Sequence, residues 1–235
     1  MARLPWLSAV SLEFPSVDKA LRDPDGLLAV GGDLRPERLL RAYERGIFPW
    51  FQEEPILWWS PATRMVLHPE QLHVSRSMGK FLRQQHFRVT FDQAFPQVIA
   101  QCALLREEYP GTWITPAMQA AYVRLHELGH AHSVEIWEQD TLVGGLYGVA
   151  MGQLFFGESM FSLRSNASKT ALICLTRQLQ RWGCQLIDCQ VPSEHLRSLG
   201  ATEMSRTQFQ EYLECYRDAP GHTGPWCMEI PLDAL

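Results

Sequence analysis

Over residues 132–191 the spacing of apolar side chains changes from two to 3.6 and back to two, and this succession constrains the fold more than any other feature of the chain. Residues 132–138, 142–149 and 153–158 read as three strands, joined by tight turns at Gln139-Asp140 and Met151-Gly152. Residues 166–182 then give the clearest helix, with Leu172, Leu175, Leu179 and Trp182 striping one face and Gly183 following the last turn. Residues 185–191 return to a strand, and short helices are expected around 194–198 and 207–216. Strand, strand, strand, helix, strand is the order of a mixed sheet packed by helices, so the fold class is α+β.

Upstream, prolines and glycines punctuate the first 60 residues. Leu27 to Val30 form a short apolar run closed by Gly31-Gly32-Asp33. Pro36 opens a helix to about Arg45, with Leu39, Leu40 and Tyr43 on its apolar face and Gly46 just past its end. Two aromatic clusters follow, Ile47-Phe48-Pro49-Trp50-Phe51 and Leu57-Trp58-Trp59-Ser60-Pro61. They read as a rigid loop surface. A boundary near Pro61 divides a small N-terminal domain, 1–62, from a larger one, 63–235; a length of 235 residues suits such a pairing. A further helix starts with Thr115 as N-cap and Pro116 at its first position, and ends at Gly129.

Composition excludes several classes. Hydrophobic residues make up 46% and charged residues 20%, which rules out a disordered chain. The formal net charge of −5 rules out a globally basic nucleic-acid coat, so any contact with RNA must come from a local patch. One candidate exists: residues 71–91 carry no acid, and Arg76, Lys80 and Arg83 recur at i, i+4 and i+7 of a helix. That stripe is either a solvated face or a track for phosphates. The longest uncharged run, residues 141–157, falls short of the roughly 20 residues of a spanning helix, and the N-terminal stretch lacks the apolar core of a signal peptide. Six cysteines without a C-x-x-C pair fit reduced thiols in the cytoplasm.

Three polar features stand out. His126-Glu127-Leu128-Gly129-His130 matches the H-E-x-x-H zinc pattern, but Gly129 looks like a helix stop that takes His130 off the helical face, so no metal is expected. In the strand Leu186-Ile187-Asp188-Cys189-Gln190-Val191, alternation puts Asp188 and Gln190 on the same side, about 7 Å apart. They are either a satisfied buried pair or a base and its orienter beside a pocket. Glu158 closes the uncharged run and is followed by Met160 and Phe161, surroundings in which a carboxylate wants a cation.

The strings Gly31-Gly32-Asp33-Leu34, Gly46-Ile47-Phe48-Pro49-Trp50-Phe51, Trp58-Trp59-Ser60-Pro61, Thr112-Trp113-Ile114-Thr115, His126 to Ser133, Gly157-Glu158-Ser159-Met160-Phe161, Asn166-Ala167-Ser168-Lys169-Thr170-Ala171 and Leu186 to Gln190 closely resemble the bacterial leucyl/phenylalanyl-tRNA–protein transferases. The resemblance runs from about Phe14 to Gly200; the tail after about Arg217 adds nothing to it. It implies a small N-terminal domain on a domain with an N-acetyltransferase-like (GNAT) fold. It also implies an aminoacyltransferase, moving Leu or Phe, and Met less well, from aminoacyl-tRNA to the α-amino group of proteins with N-terminal Arg or Lys. The product would be marked for N-end rule degradation. A cytoplasmic monomer without metal, cofactor or membrane partner is implied.

The resemblance assigns Asp188 and Gln190 as the catalytic pair, with Gln190 at the attacking amine and Asp188 orienting it. The aminoacyl side chain would lie among Leu146, Met160, Leu172, Leu175, Leu179 and Ile187. Trp50 and Trp113 would stack on the terminal adenine or border the pocket, joined by Tyr122. Glu158 would read the acceptor's N-terminal Arg or Lys through a charge-assisted contact, and Arg76, Lys80 and Arg83 would meet tRNA phosphates. The fold alone would also suit a CoA-dependent acetyltransferase, but residues 162–167 lack the glycines of a CoA loop. A non-catalytic tRNA-binding module is the other alternative, should Asp188 and Gln190 be merely structural.

Overall fold

The computed structural model describes residues 4–107, 112–222, 224 and 226–228, with the backbone alone at 106 and 107. The first three residues of the N-terminal stretch and the tail beyond 228 lie outside the described residues. Two sheets form the frame. The smaller holds β1 (Trp6–Leu7), β2 (Leu27–Gly31), β3 (Phe48–Pro49) and β4 (Leu57–Trp59) in the order β1-β2-β4-β3, with helix α1 (Pro36–Tyr43) between β2 and β3. The aromatic clusters expected as loops therefore include paired strands: Phe48 lies opposite Trp59 and Pro49 opposite Trp58. Pro49 is tolerated because β3 is an edge strand only two residues long.

The larger sheet has seven strands in the order β11-β5-β10-β9-β8-β7-β6. They are β5 (Thr63–Leu67), β6 (Arg88–Phe91), β7 (Ala131–Glu138), β8 (Thr141–Met151), β9 (Leu154–Ser162), β10 (Leu186–Gln190) and β11 (Thr202–Ser205). The helices are α2 (Arg76–Arg83), α3 (Phe95–Glu107), α4 (Pro116–Glu127), α5 (Ala167–Arg181), α6 (Glu194–Arg197) and α7 (Arg206–Tyr216). All neighbouring strands are antiparallel except β9 and β10, which run parallel and are joined by the crossover helix α5. This is the mixed α+β sheet with helices that the acetyltransferase-like expectation requires. Sequence reading did not identify β5, β6, β11 or α3.

Helices α3 and α5 cover opposite faces. A Cβ on Gly144 would meet Ala167 of α5 at 2.5 Å, whereas one on Gly145 would approach Val98 of α3. Gly144 thus lets α5 press onto the sheet. One core unites the faces of both sheets, running from Leu28, Trp58 and Tyr43 to Phe95, Tyr122 and Tyr147. A second lies under α5 and α2 and takes in Trp226 of the C-terminal tail, whose ring stacks on His132 at 3.8 Å. No helix among the described residues is long and apolar enough to cross a membrane.

Candidate active site

Strands β9 and β10 pair only from Leu186–Leu154 to Asp188–Phe156 and then part. A chamber of about 360 Å³ opens at the parting. Its apolar walls include Leu146 of β8, Met160 of β9, Leu172 and Leu175 of α5, and Ile187 of β10. Trp113, Glu158, Cys189, Gln190 and His195 also face it. Five of the six apolar positions expected here thus come together. Leu179 does not. It lies one turn further along α5, which runs back along β9, and it lines a separate small cavity with Leu154, Trp182 and Trp226.

Two bulges shape the polar wall. In the β8–β9 ladder Tyr147 faces Ser159 and Gly148 faces Gly157, which leaves Glu158 as the extra residue. In the β10–β5 ladder Asp188 faces Val66 and Gln190 faces Met65, which leaves Cys189 as the extra residue. Gln190 takes the left-handed φ of 63° that such a bulge demands. Strict alternation therefore fails at this point, and the expectation that Asp188 and Gln190 share a side needs correction. Ile187, Cys189 and Gln190 line the chamber, and Asp188 does not.

Asp188 is instead 2% exposed and gripped from behind. Its Oδ1 and Oδ2 accept from Arg64 Nε and Nη2 at 2.9 and 2.7 Å, and Oδ1 also accepts the backbone N–H of Gln190 at 2.8 Å. Arg64 is buried as well. Its Nη1 donates to the carbonyl of Gly46 at 3.0 Å, and its guanidinium lies between the rings of Phe48 and Phe209. A bidentate pair, with a third guanidinium N–H bonded to a carbonyl and rings over the guanidinium, is the kind of arrangement that can hold two charges out of water.

Glu158 is held by three donors. Tyr43 and Gln190 Nε2 donate to Oε1, each at 2.7 Å, and Tyr122 donates to Oε2 at 3.2 Å. The two phenols also contact each other. Burial raises the Glu158 carboxyl to about 7; the nearby Asp188 charge adds to this, and the bonds from Tyr43, Tyr122 and Gln190 oppose it. Burial likewise raises both phenols well above their usual range, so they remain donors. Among the described residues Oε2 accepts from Tyr122 alone, which leaves it capacity for an incoming cation or N–H.

Tyr122, expected among exposed aromatics, is therefore wholly buried beneath Glu158. Trp50 is 44% exposed and meets Trp59 and Trp113 edge-on, at 5.4 and 6.3 Å between ring centroids. These indoles form a ledge at the chamber's mouth, reached through Trp113. Arg76, Lys80 and Arg83 are exposed together on α2, away from the chamber lining. The H-E-x-x-H string ends its helix at Glu127; His126 Nδ1 contacts the carbonyl of Ala131 and Glu127 pairs with Arg124. Among the described residues no group of three or more His, Cys, Asp or Glu side chains could hold a metal.

Residues 66–214 match the sequence model for leucyl/phenylalanyl-tRNA protein transferase, and residues 32–62 match the one for its N-terminal domain. The chain belongs to this family. The leucyl/phenylalanyl-tRNA–protein transferase of Pseudomonas fluorescens strain SBW25 is 59% identical over 224 residues, covering 95% of this chain and 99% of that protein. The one from Pseudomonas syringae pv. syringae strain B728a is 60% identical, covering 92% and 95%. Among solved structures, FemX superposes with a TM-score of 0.48 at 10% identity, over 72% of this chain and 66% of that one. A GCN5-related N-acetyltransferase from Kribbella flavida gives 0.37 at 12% identity, over 72% and 61%.

Sequence reading missed Tyr43 and Arg64. Tyr43 stood only as an apolar helix residue, and nothing in its neighbourhood signals a partner 115 positions away. Arg64 carried a usable signal: it is the one charge beside the apolar run Met65-Val66-Leu67.

Proposed function

We propose that this chain moves leucine or phenylalanine, and methionine less well, from its tRNA to the α-amino group of proteins beginning with Arg or Lys, marking them for N-end rule degradation. Membership of the family makes it an aminoacyltransferase whose substrates are aminoacyl-tRNA and protein. The observation that carries the finer reading is the chamber itself: an apolar bag for one uncharged side chain, with Glu158 and Gln190 as its polar wall. Burying a leucine-sized side chain there contributes roughly 1.5–3 kcal/mol, and a charged one would have to be desolvated.

An aminoacyl ester is already activated, so the residues need only align two substrates and manage one proton. Gln190 spends its amide N–H on Glu158, which leaves its carbonyl oxygen to accept from the attacking amine. We assign Gln190 as the catalytic residue. Asp188 is a positioning residue: it fixes Gln190 through the backbone N–H, and Arg64 fixes Asp188. The tetrahedral centre collapses with the ribose oxygen as leaving group, which takes up the amine's proton. Glu158 Oε2 meets the acceptor's N-terminal cation. Trp50 and Trp113 take the terminal base by stacking, and Arg76, Lys80 and Arg83 meet phosphates.

We also take residues 1–62 as a small domain, because they build their own four-stranded sheet and lend Tyr43 to Glu158. A monomer fits a site assembled within one chain. The test is transfer of radiolabelled leucine from Leu-tRNA to a peptide beginning with Arg, against one beginning with Asp. Labelling of the first alone is expected; equal labelling would contradict the acceptor rule.

A further inference from the structure

A second cavity, of about 220 Å³, lies outside the chamber and has no role so far. It is lined by His73, Ser75 and Ser77 at the start of α2, Asn166 and Lys169 at the start of α5, and Ser198 after α6. No carboxylate among the described residues faces it; the His73, Ser77, Asn166 and Lys169 side chains carry donors, whereas the Ser198 hydroxyl donates to the His195 carbonyl. Lys169 is half-buried and forms no ion pair among the described residues, and the Asn166 side chain does not cap its own helix. The ammonium therefore has no anion of the described residues on it and can pair with one that a ligand brings.

The cavity is also well placed. Ser75 and Ser77 flank Arg76, the first residue of the basic stripe. On its other side the cavity shares two elements with the chamber: α5 gives Lys169 to the cavity and Leu172 and Leu175 to the chamber, and α6 gives His195 and Leu196 to the chamber while Ser198, just after it, lines the cavity. The cleft therefore lies between the basic face of α2 and the aminoacyl chamber.

We propose that this cleft is a phosphate site, which takes a backbone phosphate of the donor tRNA's single-stranded 3′ end while the amino acid lies in the chamber. The Lys169 ammonium and the Asn166 carboxamide are the chief donors, with Ser77 and His73 at the rim. The inference rests on the aminoacyl-tRNA reading and adds to it a contact off the basic stripe.

The experiment compares two donors, Leu-tRNA and 2′(3′)-O-leucyl-adenosine, the second of which has no phosphate. Wild-type enzyme, Lys169→Ala and Lys169→Arg are assayed on the same Arg peptide. The ratio of kcat/KM for tRNA over the adenosine donor is expected to fall about tenfold in Lys169→Ala and to be largely restored in Lys169→Arg. The salt dependence with tRNA should flatten by about 0.7 in log–log slope, the share of one single-strand phosphate. Equal losses on both donors, or no loss on either, would overturn the proposal. Inorganic phosphate should inhibit wild-type transfer from Leu-tRNA more than that of Lys169→Ala; equal inhibition of the two would also overturn the proposal. Wild-type enzyme inactive with Leu-tRNA would overturn the transfer reading itself, and the role of the cleft with it.

Discussion

Arg64 holds both carboxylate oxygens of Asp188, at 2.9 and 2.7 Å, across the pairing of β5 with β10, and both side chains are 2% exposed. Removing one partner strands the other charge away from water. Arg64→Ala is expected to lose about 3–5 kcal/mol in chemical denaturation. In the double variant with Asp188→Ala the losses should sum to less than the two singles, because no unpaired charge remains. Strict additivity would show that the pair does not act as a unit.

Glu158 sets a pH dependence of stability. Its carboxyl is at about 7 when folded, against an ordinary value of 4.5. A raised acid binds its proton more tightly folded than unfolded, so its contribution falls as pH rises from 4.5 through 7. The shift corresponds to a loss of about 3 kcal/mol by pH 8. Glu158→Gln removes this loss. Its melting temperature relative to wild type should rise between pH 5 and pH 8, and a difference independent of pH would contradict the assignment. The same variant should lower use of Arg and Lys acceptors while sparing tRNA binding, as acceptor kinetics beside a tRNA titration would show.

On the proposed reading the chamber wall sets donor size. Leu172 and Leu175 line it and Leu179 does not. Leu175→Phe fills part of the space, so transfer of Phe should fall relative to Leu by about tenfold, within the 1–3 kcal/mol that such pocket changes command. Leu179→Ala should change stability, by about 2–5 kcal/mol, and leave the Phe-to-Leu ratio alone. Competition between the two charged tRNAs in one reaction reads both.

Lys80 and Arg83 lie on the exposed face of α2. Reversing both to Glu should weaken tRNA binding and flatten its salt slope by about 1.8 against a duplex stem. Binding titrations at several salt concentrations check this, and an unchanged slope would remove the stripe from the interface.

The chamber's apolar half was readable because its residues come from two strong periods, the α5 stripe and the β8–β10 strands. Glu158 announced itself as a charge ending a run of 17 uncharged residues. The polar geometry was not readable. Cys189 and Glu158 are extra residues in bulges, and a bulge leaves no mark in an alternation pattern. Leu179 has the right spacing but the wrong height on its helix, which only the tail residue Trp226 reveals. Helix α3 escaped notice because apolar residues also occupy its outer side: Leu104 is 53% exposed and Ala100 and Leu105 are half-buried, which blurs the buried stripe of Phe95, Val98, Ile99, Cys102 and Ala103. Strands β5, β6 and β11 have only four or five residues each, too few for a period.

The account stands on Gln190 acting at the reacting centre, aimed by the bulge and by Glu158. The most direct measurement is single-turnover peptide-bond formation on a preformed complex of Leu-tRNA with Gln190→Ala. The rate should drop on the order of 100-fold or more, while the Kd for Leu-tRNA stays within about twofold of wild type. A near-normal rate would contradict it.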